Sequence, residues 1–174
     1  MITIFKTARE LQAFCDAQGW EFCFIGGVLT LLAGYGKEDT FIDALLAQYT
    51  ARNANPAQFA RKNRVLLLQS ESGIGIDISL GALPFEVLAV QHATPFEFAP
   101  GLELRTCSAE DLMVMKLFAS RAIDIRDAGG IAVRHDNTLD WRYVEEQLKP
   151  LVELKEEPEI LQTFAHPRRL SATL

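Results

Sequence analysis

Two apolar runs, Phe22 to Ile25 and Val28 to Leu32, are separated only by Gly26-Gly27. No other stretch constrains the fold as strongly. Two short runs rich in β-forming residues, with glycines between them, read as a β-hairpin, because glycine alone takes the positive φ of a tight reversal without steric cost. Glu21 to Ile25 is then one strand, Val28 to Leu32 its antiparallel neighbour, and Gly26-Gly27 a two-residue turn. The same glycines have a second reading. Backbone N–H groups that no side chain obstructs can cradle a phosphate. After Gly27 the chain runs through Val28-Leu29-Thr30-Leu31-Leu32-Ala33-Gly34 without an acid.

Around this hairpin the sequence reads as α/β first and helical at its end. Thr7 and Glu10 form a capping box that predicts a helix to about Gln18, closed by Gly19. Lys37 to Tyr49 has Phe41, Leu45 and Tyr49 on one helical face, and Gly34-Tyr35-Gly36 before it is a loop. Pro56 to Lys62 is a short helix opened by proline. Val65 to Gln69 is a buried strand, turned at Glu71-Ser72-Gly73 into a strand from Ile74 to Leu80. Val87 to Gln91 and Leu102 to Thr106 are predicted short strands, with Pro95 to Pro100 irregular. Ser108 caps a helix running to about Ala122, with Asp111 at its positive end. Asp124 to His135 is helical, Asp140 caps a helix from Trp141 toward Leu154, and Pro158 opens a last short one. The predicted division is an α/β core over 1–107 and a helical part over 108–174, packed as one compact domain. With 49% hydrophobic residues among 174, the chain has enough apolar volume for that core.

Composition excludes several function classes. The net charge of -6 argues against a broad nucleic-acid surface. Arg52, Arg61, Lys62 and Arg64, and the Arg168-Arg169 pair, read as local solvated clusters. No apolar run approaches the ~20 residues of a membrane span. The N-terminus lacks a secretory pattern, so a cytoplasmic location without membrane contact is expected. Cys15, Cys23 and Cys107 are scattered and suit buried thiols. His92, His135 and His166 have no spaced metal-ligand partners.

Two constellations could carry chemistry. In the Ile74 strand, Ile74, Ile76, Ile78 and Leu80 take one face, while Gly73, Gly75, Asp77 and Ser79 take the other. Asp77 is thus a lone carboxylate on a face bare of bulk. It is either a ligand site with glycine-made room, an acid on an ordinary solvent face, or one satisfied by a nearby arginine. The second constellation is Lys116, Ser120, Asp124 and Asp127, which share a face if one helix runs through them, with Arg121 three residues before Asp124. Lys116 and Arg121 could reach phosphate while the acids orient them. Alternatively the set is surface pairs worth ~0.2–0.5 kcal/mol each.

Four stretches together, Phe22 to Gly27, Leu31 to Tyr49, Arg61 to Phe85 and Leu104 to Asp127, continuing through Leu139-Asp140-Trp141 and Pro158 to Leu161, give the chain a family likeness. It resembles small bacterial nucleotidyltransferase-fold proteins related to the AbiEii-like toxins of toxin–antitoxin pairs and to the minimal nucleotidyltransferases. The resemblance implies a mixed sheet flanked by helices and transfer of a nucleoside monophosphate from an NTP to a hydroxyl of an RNA, protein or small-molecule acceptor. It implies Gly26 and Gly27 at the phosphates, Asp77 as a magnesium ligand and catalytic acid, and Lys116 as a catalytic and nucleotide-binding group. Arg121 would also bind nucleotide, with Asp124 and Asp127 orienting the cations. The departure is as informative. Such proteins carry, after the Gly-Gly pair, a helix and an Asp-x-Asp strand start. Here that block is missing, and the following sequence resumes in phase. Two-metal phosphoryl transfer needs several carboxylates, so Mg2+ and NTP are expected only if activity survives. A degenerate enzyme is the first reading. A non-catalytic module that binds nucleotide, RNA or protein is the alternative. A single-metal hydrolase using Asp77 is a more distant one. Removal of the helix is further expected to uncover Phe24, Leu29 and Leu31, giving either a new partner for that surface, such as self-association, or low stability.

Overall fold

In the computed structural model, residues 3–34, 36–135 and 138–162 are described. The chain divides into two compact units, Met1–Cys107 and Ser108–Leu174. The first contains α1 (Thr3–Ala17), β1 (Glu21–Phe24), β2 (Leu29–Ala33), α2 (Glu38–Gln48), β3 (Thr50–Ala51), α3 (Pro56–Asn63), β4 (Val65–Gln69), β5 (Gly75–Leu80), α4 (Pro84–Gln91), β6 (Thr94–Ala99) and β7 (Leu102–Thr106). The second contains α5 (Ala109–Ala119), α6 (Ala122–His135) and α7 (Trp141–Lys155). Residues 159–162 are also helical. His166, Arg168 and Arg169 lie outside the described residues.

The strands form one mixed sheet in the order β3-β4-β5-β2-β1-β7-β6. β1 and β2 are antiparallel, from Glu21 opposite Ala33 to Phe24 opposite Thr30. β2 then runs parallel to β5, from Leu29 opposite Asp77 to Leu32 opposite Leu80. Alternation places Phe22, Phe24, Leu32, Leu66, Leu68, Ile76, Ile78 and Leu80 in one core with Leu11 and Cys15 of α1 and Phe41, Ile42 and Leu45 of α2. α4 packs on β1 and β2. Burial pushes the Cys15 thiol up to about 12, so it stays neutral in this core. Fully burying one such Leu or Ile is worth roughly 1.5–3 kcal/mol, which makes this two-sided sheet the stability of the unit.

The hairpin forms as the sequence predicts, with one more residue in its turn. Ile25 N donates to Leu29 O at 2.9 Å, and Leu29 N donates to Gly26 O at 2.8 Å. Gly26, Gly27 and Val28 therefore make the reversal. Gly26 has φ +130° and Gly27 φ +56°. Val28 lies in the turn, with its side chain in the core.

Other expectations need correction. α1 begins at Thr3, so Thr7 is not a cap. It is buried inside the helix, with its hydroxyl 3.4 Å from that of Ser72. Val87 to Gln91 is helical: Pro84 starts α4, and the Glu86 carboxylate accepts from Ala82 N and Leu83 N at 2.6 and 2.8 Å. A short apolar run has no period that separates strand from helix, so the cap decides. Pro95 to Pro100 is mostly strand, paired antiparallel to β7 as an exposed sheet edge, where a proline is tolerated. Phe24 and Leu31 are buried, so the apolar surface expected from the missing helix does not include them. The large apolar side chains exposed among the described residues include Phe96, Phe98, Ile123, Val133 and Leu154. No helix among the described residues is long and apolar enough to cross a membrane.

The turn supplies a prediction. A Cβ on Gly26 or Gly27 would meet nothing within 4 Å, so only backbone strain opposes substitution. Gly26→Ala should lower stability by about 1–3 kcal/mol, because φ near +130° is closed to side chains. Gly27→Asn should be nearly neutral, because asparagine tolerates the left-handed region. Urea midpoints check both, and equal losses would contradict this reading of the turn.

Candidate functional site

The parallel register brings two sequence candidates together. Asp77 lies opposite Leu29, the first β2 residue after the glycine turn, and Asp77 N donates to Val28 O at 3.2 Å. Gly26-Gly27 and Asp77 therefore share one end of the sheet. The hydrogen bonds that close the turn do not use the amides of Gly26, Gly27 or Val28. As alternation requires, Ile76 and Ile78 are buried and Asp77 points to the other face, its side chain 45% exposed.

Arg52 also belongs to this group, and its sequence position did not reveal it. It follows the two-residue β3, and its N–H donates to Leu67 O at 3.0 Å. Leu67 is the β4 residue opposite Asp77. Arg52 and Asp77 thus flank the same residue, and the guanidinium Nη2 pairs with the Asp77 carboxylate. A Cβ on Gly75 would sit 3.5 Å from Arg52 Nη1, so Arg52 occupies the room that glycine leaves. The sequence signals were Arg52's place in a basic cluster and the reading that a nearby arginine could satisfy Asp77, without saying which. Arg64 and Arg61 of that cluster are tied elsewhere. Arg64 donates to Glu38 Oε1 at 2.8 Å, to Leu80 O and to Gly81 O. Its hydrogen bond holds the Glu38 carboxyl below the ordinary range. Arg61 Nε donates to Asp39 Oδ1 at 2.8 Å.

The donor set does not fit a magnesium pair. Among the described residues no three His, Cys, Asp or Glu side chains gather to hold a metal ion. Asp77 is already engaged by a cation, and Asp39 by Arg61. A pair of divalent ions bridging phosphates would need further carboxylates here.

The second constellation lies in the helical unit. Two helices form here, as the sequence predicts, so the condition of one continuous helix through the four residues is not met. α5 ends at Ala119, and Ser120 takes φ +59° as its C-cap. The break folds the acids back onto the lysine. Lys116 Nζ donates to Asp124 Oδ1 at 3.1 Å and to Asp127 Oδ2 at 2.9 Å. Arg121 Nε donates to Asp124 Oδ2 at 2.5 Å. Asp124 is only 1% exposed. Burial pushes its carboxyl up, but the hydrogen bonds from Arg121 and Lys116 outweigh this and hold it below the usual range. Burial likewise lowers Lys116, and its bonds to Asp127 and Asp124 leave it above the usual lysine value. Two cations face two carboxylates, so the network is neutral and each charge is answered within it. Elsewhere on α5, buried Asp111 accepts from Ser108 Oγ at 2.7 Å and Tyr143 Oη at 2.6 Å, tying α5 to α7. Burial, then the carboxylate, raises the Tyr143 phenol.

Among solved structures, the chain is similar to an antigenic nucleotidyltransferase-like protein from Paracoccidioides brasiliensis. The two share 13% identity over 93% of this chain and 92% of that one, with a TM-score of 0.51. At that identity the likeness is one of fold: the chain has a nucleotidyltransferase-like fold. No protein-family model matches the sequence, and no curated protein does.

Lys116→Met should cost about 1–3 kcal/mol at neutral pH, since it leaves a buried carboxylate with one cation fewer. Asp127→Asn should cost less, because that side chain is 39% exposed. The pH signs follow from the two shifts. Asp124 is depressed, so its contribution holds above the ordinary carboxylate range and fades as pH falls through the lowered folded value. Lys116 is raised, so its contribution holds below the ordinary lysine range and fades as pH rises through the raised value. Urea melts across pH should show a wild-type advantage over Lys116→Met that is flat through neutrality and shrinks at both extremes. An advantage that peaks at either extreme would refute the assignment.

Proposed function

We propose that this chain is a nucleotidyltransferase-fold protein that does not transfer nucleotide, and that the glycine turn with Arg52 serves as a metal-independent phosphate contact. The observation that carries this reading is the Asp77–Arg52 pair. In the resemblance Asp77 would be a metal ligand, shared with the Asp-x-Asp acids that are missing after Gly27. Here its charge is answered by a guanidinium instead. Stabilising the attacking and leaving oxygens of phosphoryl transfer takes fixed charge at both ends, and one acid paired to an arginine cannot supply it. What remains at this end of the sheet suits binding. The turn amides are outside the hydrogen bonds that close the turn, and the space around both glycines is open. Arg52 is a fork-shaped donor that a phosphate can engage in two directions. Kinship with AbiEii-like and minimal nucleotidyltransferases, whose intact members would use an RNA or protein hydroxyl as acceptor, belongs to the same reading. So does a cytoplasmic setting.

Lys116 and Arg121 fit an orienting role better than a catalytic one. Lys116 already donates to two carboxylates, and freeing it for phosphate would expose the buried Asp124 charge to loss of a partner. Asp124 and Asp127 are then the residues that hold the cations in place.

Two measurements test the proposal. With Mg2+, labelled NTPs and either RNA or the chain itself as acceptor, no label should be transferred above a protein-free blank. Calorimetry with the same NTPs should show weak binding that EDTA leaves unchanged and Arg52→Ala removes. Asp77→Asn should raise affinity by releasing Arg52, with little effect on stability, because exposed pairs contribute only about 0–1 kcal/mol. Turnover that Asp77→Asn abolishes would overturn the proposal and restore Asp77 as a metal ligand.

A further inference from the structure

Two surfaces of the helical unit are complementary to each other. The first is a groove of about 600 Å³ along α6, lined by Ala122, Ile125, Gly129, Gly130 and Val133 with Arg126 and Arg134. Its floor is apolar, and Val133 is 46% exposed. A Cβ on Gly130 would lie 3.3 Å from Arg134 Nη1, so the glycine lets that guanidinium lie along the groove. Eight residues of helix separate the arginines, a rise of ~12 Å. Neither arginine has an ion-pair partner among the described residues.

The second surface is the end of α7. Residues 145–159 hold six glutamates and two lysines. Lys149 is paired with Glu145 and Lys155 with Glu157. Glu153 and Glu156 have no ion-pair partner among the described residues. Between them stands Leu154, 65% exposed, the most exposed large apolar side chain among the described residues. The inner face of α7 is spent on Val144, Leu148, Leu151 and Val152, which are buried. Leu154 therefore faces outward, beside two acids without an ion-pair partner among the described residues.

We infer that a second copy of this chain is the occupant: Leu154 of one copy enters the α6 groove of another, with Glu153 and Glu156 meeting Arg126 and Arg134. An apolar centre inside a charged rim is the ordinary layout of a protein contact. The occupant is specified by charge. A chain of net charge -6 repels itself in general, and α6 offers a place where two cations with no ion-pair partner among the described residues reverse that locally. Each copy carries both halves, so the contact needs no other component. It is independent of nucleotide and of the glycine turn.

Sedimentation equilibrium of the full chain, from about 5 to 300 µM, is the test, since contacts of this small size associate weakly. The weight-average mass should rise with concentration at low salt and fall back toward the monomer at 0.5 M NaCl, as expected of about 4 Å ionic screening over exposed pairs. Arg134→Glu and Glu153→Arg should each weaken association about tenfold or more, and the two together should restore it. Leu154→Asp should abolish it. Circular dichroism checks that each variant is folded, and the restored double variant provides the same control within the experiment. A monomer at every concentration would overturn the inference. So would association that Arg126→Glu and Arg134→Glu leave unchanged, or a charge-swapped pair that stays as weak as its parents.

Discussion

Four residue pairs, Leu29–Asp77 through Leu32–Leu80, join the β1–β2 hairpin in parallel to β5, and the α/β unit depends on that join. Without it, β3-β4-β5 and β2-β1-β7-β6 would be two small sheets, each with an open edge next to its largest apolar residues. With it, Leu32, Ile76, Ile78 and Leu80 fall in one row beneath α1 and α2. The pairing also sets the candidate site. A shift of one residue would send Asp77 into the core and Ile76 or Ile78 outward, an error that burial strongly opposes. The position of the carboxylate beside the glycine turn is therefore a by-product of hydrophobic register.

The two charge clusters illustrate opposite regimes. Arg52 and Asp77 are partly solvated, so their pairing is cheap to make and cheap to exchange for another anion or cation. Asp124 is enclosed, and its partners are held by hydrogen bonds from two directions. There the desolvation cost of an unpaired carboxylate dominates, and exchange would be costly. This contrast is why binding is assigned to the first cluster and positioning to the second. The left-handed turn at Ser120 allows the second to exist, since a straight helix would spread Lys116 and Asp127 over three turns.

Most strands and helices were legible in the sequence because their signals are local. The glycine pair marked the reversal, strict alternation marked β5 and oriented Asp77, and Ser108 and Asp140 marked helix starts through caps that the structure contains. Local signals failed where a competing interaction lay far along the chain. Thr7 has the sequence of a cap, yet its hydroxyl is engaged by the loop at Ser70 and Ser72, some sixty residues away. The α4 segment is apolar and short, so periodicity could not choose its state until Glu86 closed the first turn. β6 carries Pro95 and no clean alternation, and it is a strand because β7 offers it a partner.

The candidate site divides along the same line. By itself the sequence determined the hairpin, the face on which Asp77 stands and the lack of any acid from Val28 to Gly34, because each follows from stereochemistry or composition over a few residues. It also carried the nucleotidyltransferase likeness that the fold bears out. Only the tertiary structure decided that Arg52 answers Asp77, that Phe24 and Leu31 are covered, and that the Lys116 cluster forms across a helix break. These depend on strand order, on helices laid over the sheet and on one left-handed residue. Pairings of that kind join residues distant in the chain, and their energies exist only after the backbone has already brought them together.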